Sequence, residues 1–266
     1  MPVHYERRGP IATFTFDHGK VNALTPQMHK ELYHHLQEFL RDQELRVGIL
    51  TGAEGKCFSA GDDIKTPMPP RTKAEDLQAH LNPHGGEGDT PGRPGWDVDI
   101  LMLPRYKPIV GAVRSWCLGQ ALMYLLLHTD VRIAGESARF GFPEIAYGMG
   151  GAGGTTRLGR QIPHTAAMWM LLTGDLVDAQ EALRTNLVNR VVPDDQLMAV
   201  AIETAEKIAR HPPLAVRIEM EAYYRGIDMA RQDAVINAGH LYRLQRLGYE
   251  GYGAESGFFG KKAPRS

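Results

Sequence analysis

The chain has 266 residues, with 30 basic and 31 acidic side chains and a formal net charge of −1, so no global field favours nucleic acid. Hydrophobic residues make up 43% and charged residues 23%, a globular composition, and no apolar run approaches the roughly 18 residues of a membrane span. With only Cys57 and Cys117, no C-x-x-C or His cluster at ligand spacing, and no apolar leader in M-P-V-H-Y-E-R-R, neither a disulfide framework nor a metal is expected, and a reducing cytoplasm is the expected home.

Ile11 to Phe16 alternates as a strand, and Asp17-His18-Gly19 ends it with turn chemistry. Thr25 and Pro26 read as an N-cap and first helical residue, and Met28, Leu32, Leu36, Phe39 and Leu40 recur at helical spacing as far as Arg41. Val47 to Leu50 reads as a buried strand, and Cys57-Phe58-Ser59 as another that runs into Ala60-Gly61-Asp62-Asp63-Ile64. Residues 66 to 98 are rich in Pro and Gly, the texture of a lid or binding loop, with one helix expected from Lys73 to Leu81.

A strand resumes at P-I-V-G-A-V from Pro108, followed by a turn at Gly119, an apolar helix from Ala121 to Leu127 and a strand from Val131 to Ala134. His128 is expected to cap its own helix end by bonding the final carbonyls. The run G-G-A-G-G reads as a loop, and without Gly-Lys-Ser/Thr it is a weak nucleotide cradle. Helices are expected over Thr165–Leu172 and Ala179–Arg184, a strand over Leu187–Val192, and helices over Gln196–Arg210, Leu214–Tyr224 and Met229–Leu247. The pattern divides into an α/β region, residues 1–195, and a helical region, residues 196–266.

Two features carry chemistry. The turn at Gly119 opens a helix, and the first N–H groups of a helix lack intrahelical partners and face an anion favourably. Glu144 stands among Phe140, Phe142 and Ile145, where an apolar setting raises a carboxyl pKa and suits it to move protons near neutrality. A donor for an oxyanion and a proton carrier are half of an active site.

The ordered motifs V-N-A-L-T, F-S-A-G-D-D-I, F-G-F-P-E-I, G-A-G-G-T-T-R-L and L-T-G-D-L-V-D-A-Q-E-A-L-R-T-N-L-V-N-R-V-V resemble those of the enoyl-CoA hydratase/isomerase family, the crotonase superfamily, over nearly the whole chain. That resemblance implies a spiral of ββα units with a helical C-terminal region for trimerisation and active-site cover, assembly as a homotrimer or hexamer, and a coenzyme A thioester substrate. No cofactor beyond that coenzyme A, no nucleic acid and no membrane partner is implied.

The resemblance also assigns roles. An enolate oxygen would take the backbone N–H of Asp62 and a second N–H from Gln120, or from Ala121 if the alignment slips by one, with Glu144 as acid and base. Coenzyme A would lie along Ala60, Asp62, Asp63, Ile64 and Lys65 and near Gly119, with Ala23 and Leu24 on the other side. The tail, which composition alone reads as a solvated end, resembles a closing F-x-x-K motif, and Phe259 and Lys262 would reach the ligand or a neighbouring subunit. Where hydratases of the family carry a first glutamate, this chain has Met123 or Tyr124, possible accessory residues. The first reading is an acyl-CoA enzyme of the isomerase or hydratase type with Glu144 as acid and base, in which one carboxylate suits movement of a double bond better than addition of water. Carbon–carbon bond hydrolysis, decarboxylation or thioester hydrolysis is the alternative chemistry, and a non-catalytic binding relative the third reading.

Overall fold

The computed structural model describes residues 2–65, 70–82 and 95–252. In chain order its elements are β1 (Val3–Arg8), β2 (Ile11–Phe16), α1 (Pro26–Arg41), β3 (Val47–Gly52), α2 (Lys73–Leu81), α3 (Trp96–Met102), β4 (Ile109–Val113), β5 (Trp116–Leu118), α4 (Gln120–His128), β6 (Val131–Gly135), β7 (Arg139–Gly141), α5 (Ala152–Thr156), α6 (His164–Thr173), β8 (Val177–Asp178), α7 (Ala179–Arg184), β9 (Arg190–Val192), α8 (Leu197–Ala209), α9 (Pro213–Gly226) and α10 (Arg231–Tyr252). A short 3-10 turn over Pro143–Tyr147 carries Glu144.

Six strands form one sheet in the order β1-β2-β3-β4-β6-β9, and β5-β7-β8 form a second. Only β1 pairs antiparallel in the large sheet; from β2 onward the pairing is parallel, with Ile11 opposite Val47 and Phe16 opposite Gly52. After β4 the chain enters β5 and then α4, and after β6 it enters β7, so successive turns place one strand in each sheet before a helix. Two isolated bridges, Leu24 to Asp62 and Ser59 to Cys117, continue the small sheet backward to the earlier turns. This is the ββα spiral.

The large sheet is covered on both faces. Val47 and Ile49, with Ile11, Val110, Ala112 and Ile133, face Leu197, Ala201, Ala205 and Ala209 of α8. Ala residues four apart make a low ridge that lets a helix lie close on strands. The opposite face buries Phe14 and Leu50 with Met28, Leu32, Leu36 and Phe39 of α1 and Leu122 and Leu125 of α4. Burial on both sides explains why all six residues of β3 are buried, the mark of a parallel central strand.

The first compact unit runs from Met1 to Ala209, so α8 belongs with the sheet, whereas sequence texture placed it with the helical region from residue 196. The second unit begins at Arg210, and in it α9 packs on α10.

Local structure departs from the sequence expectations at definite points. Cys57–Ser59 makes one bridge at Ser59 and no strand, because its neighbour is the three-residue β5. The glycine-rich stretch expected to be a loop contains α5, and the tail of the Pro/Gly-rich segment contains α3. β1 was not expected at all: its residues V-H-Y-E-R-R bury little beyond Val3, and pairing with β2 makes the strand.

Candidate active site

The site lies where three turns of the spiral meet at the edge of the small sheet. Thr25 caps α1 by accepting a hydrogen bond from Met28 N–H at 3.2 Å, which fixes how Ala23 and Leu24 enter the helix. Leu24 N–H donates to the Gly61 carbonyl at 2.8 Å, and Asp63 N–H donates to the Leu24 carbonyl at 2.9 Å. Parallel pairing of this kind turns the N–H of Asp62 to the side away from Leu24. That side holds the end of β5.

Gly61 makes the approach possible. Its φ is +92°, and a Cβ there would lie 2.9 Å from the Leu118 carbonyl oxygen and 3.6 Å from the Gln120 nitrogen. Asn22 and Ser59 hold this turn from below: Asn22 Nδ2 donates to the Cys57 carbonyl at 2.8 Å, while the Ser59 hydroxyl donates to the Asn22 carbonyl and accepts from Gly61 N–H. Both are buried.

Across from it, Gly119 N–H donates to the Gly141 carbonyl at 3.0 Å, and Met123 N–H donates to the Gly119 carbonyl at 3.0 Å. The N–H groups of Gln120, Ala121 and Leu122 thus form the first turn of α4, before the helical bonds begin. The Glu144 carboxyl rests on Gly119, so close that a Cβ at Gly119 would lie 1.9 Å from Oε1. Its Oε2 is buried without a hydrogen-bond partner. Burial, and to a lesser extent the Asp62 carboxylate, push the Glu144 pKa up from the ordinary carboxylate range. A protonated Glu144 is an acid, and an ionised one is a base poised above its usual strength.

The chain therefore brings Asp62, Gly119, Gln120 and Glu144 together, with Ala23, Leu24 and Ala60 on the adjoining backbone. Asp63 accepts a hydrogen bond from Lys65 N–H, and Ile64 and Lys65 are exposed. Phe259 and Lys262 lie outside the described residues. Met123 is half-buried and packs against the core, while Tyr124 is fully buried. Among the described residues no group of His, Cys, Asp and Glu side chains could hold a metal ion, and no helix is long and apolar enough to cross a membrane.

His29 joins these residues although no motif points to it. His29 sits on the buried stripe of α1 beside Met28 and three residues before Leu32; its Nε2 lies 3.0 Å from Asp62 Oδ1, and its Nδ1 lies 2.7 Å from the Tyr124 hydroxyl. A titratable residue in an apolar stripe was the available signal. His128, expected to cap its own helix, reaches instead to the Ile100 carbonyl of α3 at 2.8 Å. The Leu125 carbonyl in the last turn of α4 takes both the N–H and the hydroxyl of Thr129 instead.

Known proteins are similar to this chain in sequence and in fold. The sequence model described as enoyl-CoA hydratase/isomerase matches residues 6–243. The chain is 33% identical to the (E)-benzylidenesuccinyl-CoA hydratase of Thauera aromatica over 92% of this chain and 91% of that protein. It is 34% identical to the 2,3-dehydroadipyl-CoA hydratase of Escherichia coli K12 over 91% and 89%. Among solved structures, an enoyl-CoA hydratase subunit from Geobacillus kaustophilus superposes with a TM-score of 0.83 at 27% identity, covering 100% of this chain and 98% of that one. The enoyl-CoA hydratase of Bacillus anthracis gives 0.77 at 29% identity, covering 95% and 96%. A family match over most of the chain, together with the ββα spiral, makes this protein a crotonase-fold enzyme of the enoyl-CoA hydratase/isomerase family.

Proposed function

We propose that this enzyme processes an acyl-CoA thioester through an enolate, with Glu144 carrying the proton and two backbone N–H groups, of Asp62 and of Gln120 in the first turn of α4, receiving the thioester oxygen. The observation that carries the reading is the Glu144 carboxyl seated on Gly119, beside the start of α4 and across from the Asp62 peptide. A proton carrier and oriented donors then flank one small volume. Donors already in place lose little on reorganisation as charge develops, and one such donor contributes about 3 kcal/mol in other enzymes.

Hydration of an enoyl thioester, or its reverse, is the favoured reaction, since the curated relatives are named CoA-thioester hydratases. The coenzyme A of the substrate would follow the Ala60–Lys65 backbone, and no cofactor beyond it is part of the proposal. A homotrimer or hexamer working in the cytoplasm completes the reading.

The test is Glu144→Gln, assayed by mass spectrometry in deuterated water on 2-enoyl-, 3-enoyl- and β-keto-acyl-CoA thioesters. Turnover and deuterium uptake should vanish while thioester binding stays. Wild-type rates in the variant would remove Glu144 from the mechanism, and chain cleavage or thioester hydrolysis by the native enzyme would replace hydration as the reaction.

A further inference from the structure

Hydration moves two protons, one off the attacking water and one onto the α-carbon. The sequence supplies one glutamate at the site, Glu144, with Met123 and Tyr124 where a second is usual in the family. The structure supplies another carboxylate. Tyr124, His29 and Asp62 form a hydrogen-bonded row, hydroxyl to Nδ1 at 2.7 Å and Nε2 to Oδ1 at 3.0 Å, with the two rings edge to face at 5.7 Å.

The row runs from the core outward. Tyr124 is 0% exposed and His29 2%, while the Asp62 side chain is 26% exposed. An ionised carboxylate only accepts, so Nε2 carries the hydrogen toward Asp62; a neutral imidazole then accepts at Nδ1 from the Tyr124 hydroxyl. With both donors committed and the rings buried, His29 is a fixed partner for Asp62 Oδ1. Gly61, the neighbour of Asp62, touches the Leu118–Gln120 turn from one side while Glu144 touches Gly119 from the other.

We propose that Asp62 is the second proton-carrying carboxylate of this site and that His29 and Tyr124 are the residues that position it. The inference rests on the enolate reading above. In the hydration direction the Asp62 carboxylate takes a proton from water as the water oxygen bonds to the β-carbon, and the π electrons of the double bond move toward the thioester to give the enolate. Protonated Glu144 then gives its proton to the α-carbon as the enolate collapses. The product has gained one hydrogen and one hydroxyl, and the proton left on Asp62 returns to Glu144 through solvent. The charge of Asp62 also reaches Glu144 and favours its protonated form, which suits the acid half of this sequence.

The experiment compares two reactions: hydration of 2-butenoyl-CoA, which needs both carboxylates, and deuterium exchange at the α-carbon of butanoyl-CoA, which needs Glu144 and the backbone donors. Asp62→Asn keeps the backbone N–H and should lower kcat for hydration at least ~100-fold, with little change in KM and a much smaller loss of exchange. Asp62→Glu should recover part of the hydration rate. Tyr124→Phe keeps the buried ring and should lower kcat for hydration roughly tenfold at constant KM, with a native melting transition.

Hydration by Asp62→Asn at the wild-type rate would overturn the proposal, as would equal loss of both reactions, which would make the side chain structural. So would a native enzyme that exchanges α-protons and hydrates no 2-enoyl thioester. If Glu144→Gln left exchange intact, Glu144 would lose its place as the proton carrier, and if the native enzyme showed no exchange the enolate reading itself would fail, whatever Asp62→Asn did.

Discussion

Gly119 and Glu144 share one space: the carboxyl oxygen Oε1 lies where a side chain at Gly119 would begin, 1.9 Å from the Cβ position. The backbone there has φ +54° and ψ −126°, a conformation strained for any residue with a Cβ. Gly119→Ala should therefore displace Glu144 and turn the first N–H groups of α4 together. We expect kcat to fall at least ~100-fold, with a stability loss of about 1–3 kcal/mol from backbone strain. Steady-state kinetics and a urea melt check both numbers, and wild-type kcat in a folded variant would place the carboxyl elsewhere.

Glu144 also marks itself in the stability of the fold. Its pKa is raised in the native state, chiefly by burial, so the native state holds a proton that the unfolded chain releases. Where the native state binds more protons, stability declines as pH rises, here from the ordinary carboxylate value of 4.5 upward through the raised native one. Glu144→Gln removes the cost of ionising a buried group. Its melting temperature should exceed that of the wild type at pH 7, with the gap closing toward pH 4; a gap that widened in acid would contradict the burial argument.

His128 works in the opposite sense. It is fully buried, and desolvation first and the Arg105 guanidinium second push its pKa down from 6.5 to about 3, against the opposing pull of the Ile100 carbonyl and Asp130. Between pH 6.5 and 3 the unfolded chain binds the proton that the native state refuses, so stability falls as pH falls through that window. The slope from this one group is up to about 1.4 kcal/mol per pH unit. His128→Gln, which can still donate to Ile100, should flatten the decline, as urea titrations at pH 7, 5.5 and 4.5 would show.

Two neighbouring positions on α4 should answer differently to a carboxylate. Tyr124→Glu puts an extra charge at a fully buried site already serving the His29–Asp62 pair, and should cost about 3–5 kcal/mol. Half-buried Met123 should accept Glu at a much smaller cost. In an Asp62→Asn background Met123→Glu should raise hydration of 2-butenoyl-CoA, and in the wild type it should change little. No gain in the folded double variant would show that a carboxylate at position 123 cannot reach the reacting carbons.

Much of this molecule is legible in its sequence, where one segment suffices to decide the structure. Thr25-Pro26 and the stripe from Met28 to Phe39 specify α1 and its start, and the bonds that cap it lie within four residues. The alternation of Ile11–Phe16 and the apolar run at Val47 specify β2 and β3 for the same reason, and the ordered motifs point to the family. The setting of Glu144 was legible too, since its apolar neighbours adjoin it in sequence.

Tertiary structure alone decided the rest. β1 is a strand because β2 lies beside it, and Cys57–Ser59 is not one because its partner is short. His29, Asp62 and Tyr124 stand 33 and 62 residues apart along the chain, and no local pattern links them. They meet because α1, the Asp62 turn and α4 come from successive turns of one spiral, closing loops that only the packed core stabilises. Local bonding fixes the elements, and burial of their shared core fixes which side chains face one another.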